Sequence, residues 1–279
     1  MSYKIVVDSC GELPEKLKQD GHFESVPLEI LVDDECIVDD ETFNQAEFLK
    51  KVAASPNCPK SNCPSPERFL ESFDCEAEHV YAVTLSSQLS GSYNSAQLGR
   101  NLYLEEKGEK SIHIFDSKSA SVGETLIAMK IQEYEEAGFG FEEVIEKVDA
   151  FIADLNTSFV LETLETLRKN GRLSNVKAFV AGALNIKPVM GGTPEGTICQ
   201  IGQARGIAKA LEKMIADLIA KTKNPQDKVL AIAHCNCLRR AEETAKRIKG
   251  MAEFKEIFVI DTAGISSMYA NDGGIIIAV

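Results

Sequence analysis

Three short apolar runs, Lys4 to Val7, Val80 to Leu85 and Ser111 to Phe115, are rich in β-branched residues, and each is followed by Asp or Ser. Helical patterns fill the gaps between them, and strands alternating with helices predict a parallel sheet with crossover helices. Ser65-Pro66-Glu67-Arg68 offers a cap residue and then Pro at the first helical position, with Phe69, Leu70 and Phe73 following on one face. Residues 54–64, just before it, carry three prolines and read as a loop. Phe141 to Leu155 repeats apolar residues at helical spacing through Val144, Ile145, Val148, Phe151 and Ile152, until Asn156-Thr157-Ser158 breaks the pattern.

That break predicts a boundary between a parallel-sheet α/β domain over residues 1–156 and a mixed α+β domain over residues 157–279. The second begins with a predicted helix pair, Leu161 to Lys169 and Asn175 to Leu184. A Gly-rich hairpin around Gly191 to Gly196 and a helix from Gly206 to Lys221 follow, then strand, helix and strand. The fold class expected is α/β with two domains.

Composition narrows the functions. The 279 residues are 44% hydrophobic and 26% charged, as in a globular protein with a sizeable core. Thirty Lys and Arg against 43 Asp and Glu give a formal charge of −13, a field that repels nucleic-acid backbones and anionic membrane surfaces. No stretch approaches the roughly 18 apolar residues of a bilayer span. A strand follows directly on Met1 with no apolar export segment before it, so the eight Cys read as reduced thiols and the cytoplasm is the expected location.

The densest chemistry lies in Thr84 to Ala96, where a strand ends in a hydroxyl-rich loop that opens a helix. Free N–H groups and the helix dipole favour a carboxylate or phosphate there, with hydroxyls from Ser90 and Ser92 and close backbone approach at Gly91. Helix capping by the same serines is the plainer reading. Ser61 and Asn62 stand in a second loop before a helix start, and Asp8-Ser9 ends the first strand, where Asp8 suits an acceptor of loop N–H groups better than a general base. A serine nucleophile would need an orienting base. The four His offer little: His22 and His79 look exposed in acidic surroundings, while His113 and His234 sit inside strand-like runs. His234-Cys235-Asn236-Cys237 invites a metal, but alternate strand positions face opposite ways, and no metal site is expected. Arg168 to Ser174 forms a basic turn and Arg205 follows the hairpin; both read as helix-end charges or as a docking patch for an acidic partner or a phosphate-bearing ligand.

In order, these segments resemble the DegV family along essentially the whole chain. Val7 to Leu13 looks like the family's D-S-x-x-x-L, Ser61 to Pro66 like T-S-Q-P-S-P, and Leu89 to Tyr93 like L-S-G-T-Y. Leu167 to Ser174 resembles L-R-K-G-G-R-I-S, and Asn185 to Pro188 the N-I-K-P that follows it. The resemblance implies a bacterial fatty-acid-binding protein that holds one long-chain fatty acid between two α/β domains, without a cofactor and without catalysis of its own. It implies a carboxylate site at Ser61, Asn62, Ser90, Gly91 and Ser92, with Tyr269 as a phenol donor, and an acyl tunnel lined partly by Phe179 to Leu184. It also implies a place as the acyl-carrying subunit beside an ATP-using fatty acid kinase, with Arg172 and Arg205 as the docking patch. Where relatives carry H-x-G-P-G, this chain has Tyr269-Ala270-Asn271-Asp272-Gly273: Tyr269 replaces a titratable His by a neutral phenol, and Asp272 adds negative charge. The alternatives are a serine hydrolase of acyl esters and a lipid-sensing module that works without a kinase.

Overall fold

The computed structural model describes residues 2–173 and 185–279. The chain begins β1 (Tyr3–Asp8), α1 (Glu15–Lys18), β2 (Phe23–Val26), β3 (Glu29–Val32), β4 (Glu35–Val38), α2 (Gln45–Ala54), β5 (Lys60–Asn62) and α3 (Pro66–Phe73). It continues through β6 (His79–Thr84), α4 (Ser92–Lys107), β7 (Ser111–Asp116), α5 (Val122–Glu136), α6 (Phe141–Asp154), β8 (Thr157–Val160) and α7 (Glu165–Lys169). Then come β9 (Ile186–Gly192), β10 (Ile198–Arg205), α8 (Ile207–Lys221), β11 (Val229–His234), α9 (Leu238–Lys249), β12 (Glu256–Asp261), α10 (Gly264–Ala270) and β13 (Ile275–Ala278).

The first sheet is parallel throughout, in the order β2-β1-β6-β7. The central strands β1 and β6 carry apolar runs, Ile5 to Val7 and Val80 to Val83, because both faces are covered. Ile5, Val7, Tyr81, Val83 and Phe115 point to a layer made with α5 and α6, while Val6, Val80, Ala82 and Ile114 point to α3 and α4.

The second sheet is mixed, in the order β10-β9-β8-β13-β11-β12, with β11 and β12 parallel and the other pairs antiparallel. One face carries α8 and α9 over Val160, Val189, Ile232 and Ile277. The other presents Ala231, Ala233 and Ala278 to Val122 and Leu126 of α5. Helix α5 is therefore buried between the two sheets, and the three alanines leave room for it.

A small antiparallel sheet, β4-β3-β5, sits beside them. Its Ile30 and Val32 pack with Phe48 of α2 and with Ile265 and Met268 of α10.

Two elements differ from the sequence expectation. Lys60–Asn62, expected as loop, forms a strand because β3 offers it an edge, with Ser61 opposite Ile30. Thr157 and Ser158, expected as turn, open a strand, Thr157–Val160, between β13 and β9, and the helix expected from Leu161 is confined to Glu165–Lys169. Non-local pairing decides both. The predicted helix Asn175 to Leu184, and with it the tunnel wall Phe179 to Leu184, lies outside the described residues.

Candidate functional site

Asp8 closes β1 with no exposed surface, and burial holds its carboxyl above the usual carboxylate range. It accepts the N–H of Leu85 at 2.8 Å, the N–H of Cys10 at 3.1 Å and the hydroxyl of Ser92 at 2.6 Å. One carboxylate thus ties the end of β6 and the start of α4 to β1. The Ser92 side chain is consequently turned into the core. Ser90, two residues earlier, stays partly exposed and lines a cavity.

The cavity lies between the two sheets, with a volume of about 110 Å³, and its walls are largely apolar, including Leu85, Leu89, Phe159, Leu161, Leu167 and Ile276. Engineered apolar cavities of about 150 Å³ stay dry and admit apolar guests. At one corner the lining turns polar with Ser61, Ser90, Arg172 and Tyr269. The Ser61 and Tyr269 hydroxyls are 3.2 Å apart, and the Arg172 guanidinium lies 5.9 Å from the Tyr269 ring centre. Arg172 Nε donates to Leu89 O at 3.1 Å, and the guanidinium also donates to Asn170 O. Burial pushes the Tyr269 phenol upward, so it stays neutral and keeps its proton to donate.

The candidate residues therefore separate. Ser61, Ser90 and Tyr269 all line the cavity, and the hydroxyls of Ser61 and Tyr269 meet. Arg172, read from sequence as a docking residue, joins them in the cavity wall, because the turn after α7 folds it back over the Ser90 loop. Ser92 is spent on Asp8. Asn62 is exposed and donates to Glu29, and Gly91 is exposed at the start of α4. Arg205 is exposed on β10, outside the cavity lining. Asp272 is exposed and accepts from Asn236 at 3.0 Å, also outside the lining.

Sequence reading missed several polar lining residues: Cys10, Ser119, Ser121, Thr157 and Ser266. Ser266 donates to Cys10 O at 3.2 Å, and the Ser119 and Thr157 hydroxyls are 2.6 Å apart. These contacts join positions far apart along the chain, and no local motif announces them. Behind them lie buried acids. Burial pushes Glu12 up to about 7, Asp39 up to about 6 and Glu124 well above the carboxylate range. Ser121 donates to Glu12 at 2.7 Å. Burial, and then the neighbouring Asp8 carboxylate, favour the neutral form of Glu124.

None of the four histidines lines the cavity or hydrogen-bonds Ser90 or Ser92. His79, expected to be exposed, is 8% exposed, with its ring nitrogen 2.7 Å from Glu135. A serine nucleophile at Ser90 or Ser92 therefore has no histidine base among the described residues. Those residues also contain no group of three or more His, Cys, Asp or Glu placed to hold a metal ion.

The family model described as "Uncharacterised protein, DegV family" matches residues 2–278. The chain belongs to the DegV family. A DegV domain-containing protein of Streptococcus pneumoniae is 34% identical over 279 residues, spanning 99% of this chain and 98% of that relative. Among solved structures, a DegV family protein from Ruminococcus gnavus refined with vaccenic acid is 58% identical, with a TM-score of 0.98 and full coverage of both chains. A DegV family protein from Eubacterium eligens loaded with heptadecanoic acid is 30% identical, with a TM-score of 0.90 and 99% coverage of each chain. The fatty acid kinase (Fak) B3 protein of S. pneumoniae, loaded with linoleic acid, is 32% identical with a TM-score of 0.88, covering 100% of this chain and 99% of its own. The two-sheet α/β architecture of this DegV protein is shared with all three.

Proposed function

We propose that this DegV protein binds a single long-chain fatty acid, with its carboxylate at the Ser61, Ser90, Arg172 and Tyr269 corner and its acyl chain along the apolar walls. The observation that carries this reading is an apolar cavity whose polar corner contains a cation held in place. Each buried methylene contributes about 0.8 kcal/mol, so the chain supplies affinity and the corner fixes orientation. Arg172 brings the positive charge that Tyr269, as a neutral phenol, does not. The Ser61, Ser90 and Tyr269 hydroxyls supply donors in place of water.

Residues 1–156 and 157–279 act in this reading as two domains closing on the ligand. No cofactor enters it, and the protein performs no chemistry alone. Its likeness to Fak B3 supports a role as a non-catalytic subunit that presents the acyl carboxylate to an ATP-using kinase, with exposed Arg205 left as the docking candidate. Among the described residues no helix is long and apolar enough to cross a membrane. The formal charge of −13 is in keeping with a cytoplasmic carrier.

Arg172→Gln tests the head-group assignment. Removing a charge-assisted contact costs about 1.5–3 kcal/mol, so retention of vaccenic acid should fall at least about tenfold. Arg205→Ala should leave retention unchanged. Equal retention in wild type and Arg172→Gln would contradict the assignment.

A further inference from the structure

Tyr269 reaches the cavity from α10, a helix of seven residues late in the chain that is held by residues from the first third. Asp39, 2% exposed, lies between β4 and α2. Its Oδ1 accepts the N–H of Gly264 at 2.6 Å, and its Oδ2 accepts the N–H of Ile265 and the hydroxyl of Ser9, both at 2.9 Å. The Ser9 hydroxyl in turn accepts the N–H of Leu28 at 3.0 Å. A carboxylate can receive three donors on two oxygens, whereas an amide would turn its NH2 against one of them.

The seat is close. A Cβ on Gly264 would meet Asp39 Oδ1 at 2.6 Å and Ile30 Cδ1 at 3.0 Å, so the helix start rests directly on the carboxylate. Gln45 of α2 adds donations to Thr262 O at 2.9 Å and Ser267 Oγ at 3.1 Å. Ser9 follows Asp8, which holds Leu85 and Ser92. A single dipeptide thus anchors the Ser90 loop directly and the Tyr269 helix through Asp39.

Resting on the fatty-acid reading above, we propose that Asp39 is a positioning residue for the acyl head group: it seats α10 so that Tyr269 meets Ser61 and faces Arg172 across the cavity corner. No cation among the described residues pairs with Asp39, so its carboxylate is not retained for an ion pair. Buried charge of this kind is a poor source of stability. What it fixes is the height and rotation of a short helix that its own length cannot hold.

The test uses the full chain loaded with vaccenic acid and labelled with 3-fluorotyrosine, the Tyr269 resonance being assigned with Tyr269→Phe. In Asp39→Asn the Tyr269 signal should shift or broaden while the other tyrosines keep theirs, and vaccenic acid should dissociate about tenfold faster. The Asp39→Asn effect on dissociation should shrink in a Tyr269→Phe background, because the two act through one contact. Gln45→Ala, which removes the donations from α2 to Thr262 and Ser267, should reproduce the effect more weakly should Asp39→Asn fail to fold. An unmoved Tyr269 resonance, or Asp39→Asn and Tyr269→Phe effects that simply add, would overturn the role of Asp39. Wild type that takes up no vaccenic acid would instead overturn the fatty-acid reading itself.

Discussion

Two candidate serines from different loops part company at the level of single residues. Ser92 gives its hydroxyl to Asp8 inside the core, while Ser61 faces the cavity beside Tyr269. Ser92→Ala should therefore lower stability by about 1–3 kcal/mol, since a buried acceptor loses a donor, and denaturant midpoints will show it. Ser61→Ala should weaken fatty-acid retention and leave the midpoint nearly unchanged. The buried acids give a pH dependence of known sign. Glu12 rises from an ordinary 4.5 to about 7 and Asp39 from 3.8 to about 6, so the folded state holds protons that the unfolded state has released. Stability should then fall as pH rises from about 4 to about 7, and Glu12→Gln should flatten that slope in denaturation series. Residue types were legible in sequence where a motif is local: Ser61 and Ser90 could be picked out from their loops. Arg172 was legible as an unusual cation but not as a cavity residue, because only the folded turn shows that it bends back onto Leu89 O.

Elements were legible where one periodicity runs unopposed. The three parallel strands and the helix Phe141–Asp154 follow from apolar spacing that the fold keeps. Strands β5 and β8 were not, since each exists by pairing with a distant edge and carries too few residues to show alternation. Helix α10 was also hidden: seven residues with two serines and a glycine make a weak pattern, and the helix is held by Asp39 and Gln45 from elsewhere in the chain. The contact between α3 and α4 depends on Gly99, where a Cβ would meet Pro66 O at 2.5 Å and Phe69 Cβ at 2.9 Å. Gly99→Ala should push the two helices apart and destabilise the protein by about 1–3 kcal/mol, measurable by thermal unfolding. Fatty-acid retention should change little once the folded fraction is accounted for, because neither helix supplies a cavity residue.

Across the whole molecule, α5 lies between a parallel and a mixed sheet, and the cavity opens beside it where β6, β8 and α10 converge. The strand–helix alternation of the first sheet is visible in sequence, but the cavity is not, because its walls come from segments more than a hundred residues apart. The central claim is that this space holds one fatty acid. Native mass spectrometry of the purified protein, followed by denaturation and lipid extraction, tests it most directly. The account predicts a mass excess equal to one fatty acid, lost on denaturation and recovered in the extract. Protein that is uniformly ligand-free, and that takes up none of a panel of saturated and unsaturated fatty acids, would contradict it.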